Sequence, residues 1–380
     1  MSKTIFILGA GASRDLEFKF TTIDAYSSEA TTSHCQGEGP LSLGFFYDTN
    51  LLINKINRNI SIPVSLFIPQ RLQEYVCEYY QNKTRHPVTF EKILNDKATS
   101  QKVSIEDLCI DIENKENSFE KEDKITHDEA KIFGIKMDLD SYYHTSISII
   151  CNFCFSIYHA KLAQYLSDCG GNVISFNWDI LLDEAMYHTK DWDYSTGYDI
   201  DFKKLIYKDG DTPYFKTNGT SANLILKPHG SINWYKNNEK EEYSLFYPLS
   251  RNMRGGSPTT YLRKTECDNN SNYYSSAALP PGKHRDAFPN LWVKIKETME
   301  EANSVVVIGF HFKETDDHFF KKISQYKFKK DIKIQLVDPR AKELVPRYKE
   351  IFDTNNVEIL FANFKEYCEY IMKDNFVENR

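Results

Sequence analysis

Six short runs rich in β-branched and aliphatic residues constrain what this chain can fold into more than any other feature. They are "TIFIL" (4–8), "NVISF" (172–176), "LILK" (224–227), "SVVVIGF" (304–310), "IKIQLVD" (332–338) and "VEILFA" (357–362). Their largely continuous hydrophobicity requires cover on both faces, the situation of strands in a parallel sheet. Helical patterns of crossover length separate the later runs: "DILLDEAMYH", "LWVKIKETMEEA", "ETDDHFFKKISQY" and "AKELVPRYKEIF". Strand and helix in alternation specify an α/β chain with a Rossmann-like, doubly wound, mainly parallel sheet.

The stretch between the first two runs is far too long for one crossover, so the sheet must carry a large helical insertion. With 380 residues the chain has room for it, at a prior of ~150 residues per domain. We expect the Rossmann-like domain to comprise 1–50 and 170–380 and the insertion 51–169. Within the insertion "QRLQEYVCEYY" sets Leu72, Tyr75, Val76 and Tyr79 at helical spacing, and Ser104 with Asp107 resembles a capping box. The charged stretch "ENKENSFEKEDK" reads as a solvated loop. Residues 235–289, with "RNMRGGSPTT", "CDNNSNYYSS" and "LPPGKHR", read as a long irregular loop of the kind that serves as a lid or contact surface.

A net charge of -7 and a pI near 5.9, with no basic stripe, argue against direct nucleic-acid binding. The apolar run in "MSKTIFILGAGAS" is too short for a signal peptide or a membrane span, so a cytoplasmic location without membrane association is expected. An aromatic share of 14% suits lined clefts or subunit interfaces. Of the eight cysteines only Cys151 and Cys154 form a C-x-x-C pair. They stand in "SISIICNFCFSIYHAKLAQYL", which reads as one helix whose apolar face they share with Ile147, Ile150, Phe155 and Tyr158. A core role follows, and no second pair completes a zinc site.

Chemistry-bearing residues gather where the runs end. Gly9 to Ser13, "GAGAS", follow the first run, where glycines permit backbone N–H groups to approach a dinucleotide pyrophosphate; a tight structural turn would explain them too. The second run ends in "SFNWD": Asn177 offers two donors and an acceptor suited to a ribose hydroxyl or a water, and Asp179 suits either a ligand or the cap of the next helix. His229 in "KPHGS" ends the third run, as a structural histidine or as a proton acceptor. Gly309 at the end of the fourth suits a close ligand approach and Asp338 at the end of the fifth a sugar hydroxyl or an adenine amine, or both are plain turn residues. A parallel sheet would bring these clusters to one edge.

Taken in order, "GAGAS", "SFNWD", "KPHGS", "VVVIGFHFKETD" and "IQLVDP" resemble the sirtuin superfamily, in its divergent bacterial branch of antiphage-defence proteins. The resemblance covers the first residues and most of 172–340. It implies that Gly9, Ala10, Gly11, Ala12 and Ser13 line the phosphates of NAD, that Asn177 and His229 are the catalytic pair with Asp179 at the nicotinamide end, that Gly309 and Phe310 lie by the cofactor, and that Asp338 lies near the adenosine. The chain departs from protein-deacylating members of the family. Only Cys267 follows His229 where they carry a structural zinc module, so neither zinc nor another metal is expected. His311 replaces the serine two residues after the strand-end glycine, and the segment from Ser13 to Phe46 replaces their compact cofactor loop, leaving "GPLSLGFF" as its aligned remnant.

The resemblance implies an NAD+ hydrolase that releases nicotinamide and ADP-ribose, acting as an abortive-infection effector. NAD+ is then substrate, with no other cofactor. It also implies a homo-oligomer restrained by a companion protein such as a HerA-type ATPase or another sensor. The other readings are a non-catalytic module sensing NAD or ADP-ribose, and an NAD-dependent protein deacylase or ADP-ribosyltransferase.

Overall fold

The computed structural model describes residues 3–23, 30–41, 43–58, 65–119, 125–189, 191–206, 221–237, 242–246, 274–276, 288–311 and 317–378. Along the chain, β1 (Thr4–Leu8) leads through a single 3-10 turn (Ala10–Ser13) into an antiparallel hairpin of β2 (Asp15–Ile23) and β3 (Ala30–Glu38). Helices follow: α1 (Phe45–Asn57), α2 (Gln70–Thr84), α3 (Phe90–Asn95), α4 (Lys97–Ser100), α5 (Ile105–Ser118) and α6 (His127–Phe153). After the short β4 (Cys154–Phe155) come α7 (Ile157–Cys169), β5 (Asn172–Ser175), α8 (Leu181–Tyr187), β6 (Phe202–Ile206), β7 (Ile225–Leu226), β8 (Trp234–Asn237), β9 (Glu242–Phe246) and β10 (Tyr274–Ser276). The chain closes with α9 (Pro289–Glu301), β11 (Ser304–Ile308), α10 (Asp317–Ile323), β12 (Lys333–Val337), α11 (Ala341–Ile351), β13 (Val357–Phe361) and α12 (Phe364–Glu378).

All six anticipated runs join one sheet of order β13-β12-β11-β1-β5-β7, and every pairing in it is parallel. The fold is a Rossmann-like α/β fold. Ile7 sits opposite Val307 on one side and Ile174 on the other, so the first strand is flanked by chain remote from it in sequence. Phe6, Val306 and Ile334 are buried in the sheet's core together with Leu162 and Leu166 of α7 and Ile295 of α9.

A second core forms among the helices around Phe46, Ile56, Tyr80, Ile93, Leu108 and Tyr142, where the Phe46 and Tyr142 rings stack at 5.0 Å. Ile180, Leu181 and Ile232, which follow strand ends of the sheet, are buried in this helical core. The Ser104–Asp107 capping box forms as expected, each side chain binding the other residue's backbone N–H, and Thr126 with Glu129 makes a second one.

Three local expectations are corrected. The charged stretch "ENKENSFEKEDK", expected as a loop, continues α5 through Ser118, with Lys115 paired to Asp111 one turn back on the helix surface. The single helix read through Cys151 and Cys154 breaks at Cys154–Phe155, which pairs with β2. The physical reason lies in Ser156, whose hydroxyl accepts the His159 N–H and restarts the chain as α7. Both thiols are free and buried, but Phe155 turns outward at 36% exposure rather than sharing their face. In the expected irregular segment 235–289, β8, β9 and β10 join β6 in a four-stranded sheet of order β10-β8-β9-β6. Within "EYSLF" the adjacent Ser244 and Leu245, on opposite faces of β9, are both buried. The rest of that segment up to residue 287, including Cys267, and residues 312–316 of "VVVIGFHFKETD" lie outside the described residues.

Candidate functional site

From β1 the chain builds β5 and β7 on one side, then crosses to β11, β12 and β13 on the other. The strand order therefore reverses between β1 and β11, and open α/β sheets bind ligands in the crevice beyond such a switch point. The turn after β1 and the turn after β11 meet there. Gly9 N–H donates to the Ile308 carbonyl at 3.0 Å, and Gly11 N–H to the Gly309 carbonyl at 3.1 Å. Gly309 has a φ of +58°, and a Cβ on it would lie 2.5 Å from the Gly11 Cα. A Cβ on Gly9 would lie 2.5 Å from the Gly309 carbonyl oxygen. Contact between the two loops thus accounts for these glycines, whatever ligand they also admit.

Asn177, at the end of β5, reaches back to the first turn. Its Nδ2 donates to the Gly9 carbonyl and to Ser13 Oγ, each at 3.0 Å. A carbonyl oxygen can only accept, which fixes the amide orientation and commits both N–H groups. Oδ1 is the amide atom left to accept a hydrogen bond, and the amide has no donor to spare. Ser13 Oγ in turn donates to Asp179 Oδ2 at 2.8 Å, while Asp179 Oδ1 accepts the Leu181 N–H at 3.1 Å. Asp179 therefore serves the start of α8 and anchors Ser13 at once. Asn177, Asp179 and Ser13 are all buried.

His229 sits on a four-residue turn, closed by Gly230 N–H to the Lys227 carbonyl at 2.9 Å. Pro228 in its second position and Gly230, at φ +72°, in its fourth suit such a turn. The half-buried imidazole meets the Phe176 ring edge-on at 5.1 Å, and Phe176 stacks on Phe310 at 4.2 Å. Three strand ends thus converge through one aromatic ring: β5 by Phe176, β7 by His229 and β11 by Phe310.

Asp338 lies one strand further out. Its Oδ2 accepts from His311 Nε2 at 2.7 Å and its Oδ1 from the Arg340 N–H at 2.8 Å. Arg340 donates to His311 Nδ1, so the imidazole bridges the guanidinium and the Asp338 carboxylate. Both Asp338 oxygens are thus engaged by neighbours, and its sequence neighbourhood gave no sign of His311 as partner.

Two features of the site were not anticipated. Arg14 follows the glycine turn and ties it to the segment after β3, donating to Glu38, to the Gly39 carbonyl at 3.2 Å and to Asp48 Oδ2 at 2.8 Å. Gly39 packs on Ser13 so closely that a Cβ would lie 2.0 Å from the Ser13 carbonyl oxygen. Of "GPLSLGFF", all but Ser42 is described, and this is its contact with the site. The second is Lys227, a fully buried charge ending an apolar run. A lysine inside "LILKPHGS" was the available signal.

Among the described residues no group of three or more His, Cys, Asp or Glu is arranged to hold a metal ion, and no helix is long and apolar enough to cross a membrane.

No protein-family model matches the chain, and no curated protein matches it. Among solved structures, the ADP-ribose complex of a Sir2 homologue carrying a histidine-to-asparagine mutation is similar over 68% of this chain and 82% of that one, at 12% identity and a TM-score of 0.37.

Proposed function

We propose that the chain binds NAD+ at the switch point and hydrolyses its nicotinamide–ribose bond. The observation that carries this reading is the buried chain of hydrogen bonds from Gly9 through Asn177 and Ser13 to Asp179, with His229 across the ring of Phe176. In this reading the Gly9–Ser13 turn lines the phosphates, Gly309 and Phe310 flank the cofactor, and Asp338 lies towards the adenosine. Asn177 Oδ1 accepts a hydrogen bond from water or from a ribose hydroxyl, held in place by Ser13 and Asp179.

The bond to be cut is activated by the pyridinium charge of the substrate. As it breaks, its electron pair passes to the ring nitrogen and leaves neutral nicotinamide. Water adds to the ribose carbon, and His229 accepts the proton that water loses, a task suited to an imidazole near neutral pH. Positioning and charge stabilisation supply the rest.

Unrestrained hydrolysis of NAD+ would exhaust a cell. The reading therefore includes restraint, and from the sirtuin-like motifs it takes the role of a bacterial antiphage effector that acts as a homo-oligomer with a companion such as a HerA-type ATPase. Light scattering behind size-exclusion chromatography, with and without the products of neighbouring genes, tests that part; a monomer in both conditions would remove it.

The central test is nicotinamide release from NAD+ by the purified protein with those gene products present. His229→Ala and Asn177→Ala should each lower turnover at least about 100-fold. Full turnover in both variants refutes the site, and tight nucleotide binding without nicotinamide release favours a sensing module instead.

A further inference from the structure

Lys227 stands two residues before His229 and is completely buried. Its Nζ donates to the Asp179 carbonyl at 2.5 Å and to the Asp183 carboxylate at 3.2 and 3.3 Å. Asp183, on α8, is 2% exposed and also accepts from the Tyr198 hydroxyl. A second connection runs between the same two loops, from Ile232 N–H to the Trp178 carbonyl at 3.0 Å. His229 lies between these two ties on one loop, and Asn177 immediately precedes their acceptors on the other.

A buried ion pair is an expensive way to gain stability, because desolvating two charges offsets most of their attraction, and apolar residues of similar volume often do as well. What the pair supplies here is geometry. The ammonium reaches a backbone carbonyl of the Asn177–Asp179 loop, which no apolar side chain could bind, and Asp183 neutralises it from the helix that this loop leads into.

We propose that Lys227 is a positioning residue: its ammonium holds the loop of Asn177 and Asp179 in register with the turn of His229. The catalytic consequence rests on the NAD+-hydrolase reading, whereas the structural consequence does not.

Hydrogen exchange read by mass spectrometry on the wild-type protein tests the structural part directly. Peptides covering 176–181 and 227–232 should open as one unit, with a common opening free energy and a common response to denaturant. In the double variant Lys227→Met/Asp183→Asn no charge is stranded, and the amide at 183 still accepts from Tyr198. Both peptides should then exchange at least about tenfold faster while the unfolding midpoint stays near wild type. Turnover of NAD+ should fall about 100-fold in kcat with KM within about threefold, the split expected when reacting groups are misplaced but binding is intact.

Separate opening of the two peptides in wild type overturns the proposal, as does wild-type kcat or wild-type exchange in the double variant. Should the double variant not fold, the wild-type exchange measurement decides alone. If wild-type protein releases no nicotinamide, the hydrolase reading falls, and the exchange results still decide whether Lys227 holds the two loops.

Discussion

Trp178 stacks on Tyr143, with ring centroids 5.2 Å apart and 29° between the planes. Tyr143 belongs to α6 and Trp178 follows Asn177, so the long helix presses an aromatic face on the loop that carries the candidate amide. Such a stack is worth about 0.5–1.5 kcal/mol beyond the area it buries. A double-mutant cycle of Tyr143→Ala and Trp178→Ala, read by denaturant unfolding, should return a coupling in that range. A coupling near zero would mean that helix and loop are independent.

The contact of Gly309 with Gly11 is equally direct to test. Gly309→Ala adds a Cβ within 2.5 Å of Gly11 atoms at a φ of +58°, whereas Gly170→Ala is placed at φ +77° with nothing within 4 Å. With ψ at 169°, Gly170 lies in a region that is essentially glycine-only, so the second substitution carries a backbone penalty of about 1–3 kcal/mol with no clash, and the first should exceed it by at least about 2 kcal/mol. Equal losses in the two variants would refute the packing account of Gly309.

Ser13 links Asn177 to Asp179, so Ser13→Ala leaves one amide N–H and one carboxylate oxygen without their partner. Stability should drop by about 1–3 kcal/mol. Nicotinamide release, where the wild type shows it, should fall more than tenfold through loss of the amide's position, about 1.4 kcal/mol or more. Unchanged stability would show that Asn177 and Asp179 do not depend on Ser13.

Burial of His159 pulls its imidazole down to about 4. Its pKa is lower folded than unfolded, so the unfolded chain binds more protons between about pH 6.5 and 4. Stability from keeping this group neutral is therefore present above pH 6.5 and is lost as pH falls across that window, by about 3 kcal/mol in all. His144, equally buried and also near 4, adds in the same sense, while Asp140, which burial raises to about 6, acts in the opposite one. Subtraction isolates His159: the plot of unfolding free energy against pH for His159→Gln should be shallower than wild type by up to about 1.4 kcal/mol per pH unit in the window. Parallel plots would refute the assignment.

These cases also mark how far the sequence could be read. The runs of β1, β5, β7 and β11 were legible because a strand covered on both faces must be apolar along its length, a local property, whereas β13 at the sheet edge has no buried residue and leaves Ile359 42% exposed. The capping box at Ser104 was legible for the same reason, since its partner is three residues away. The hydrogen bond from Ser13 to Asp179 was not, because nothing in either local sequence records a partner 166 positions distant. Nor was the pairing of His311 with Asp338, whose strand ends become neighbours only once β11 and β12 align. The break at Cys154 escaped because its helical periodicity continues across Ser156, and only the pairing with β2 reveals which signal prevails. The gathering of these strand ends at one sheet edge was thus legible, while the parts of Arg14 and Lys227 and the hydrogen-bond commitments that limit Asn177 to an acceptor were not.

The central place of β1 has a consequence in time. β1 pairs with β5 and with β11, which are both made after it, and the amide of Gly9 finds its acceptor on Ile308. Contacts this remote in sequence form late in folding. A nascent chain that ends before Ile308 therefore has its glycine turn but lacks the wall it closes against. Synthesis itself thus withholds the assembled crevice until β11 has been made, so on the proposed reading a toxic activity has no complete site before then.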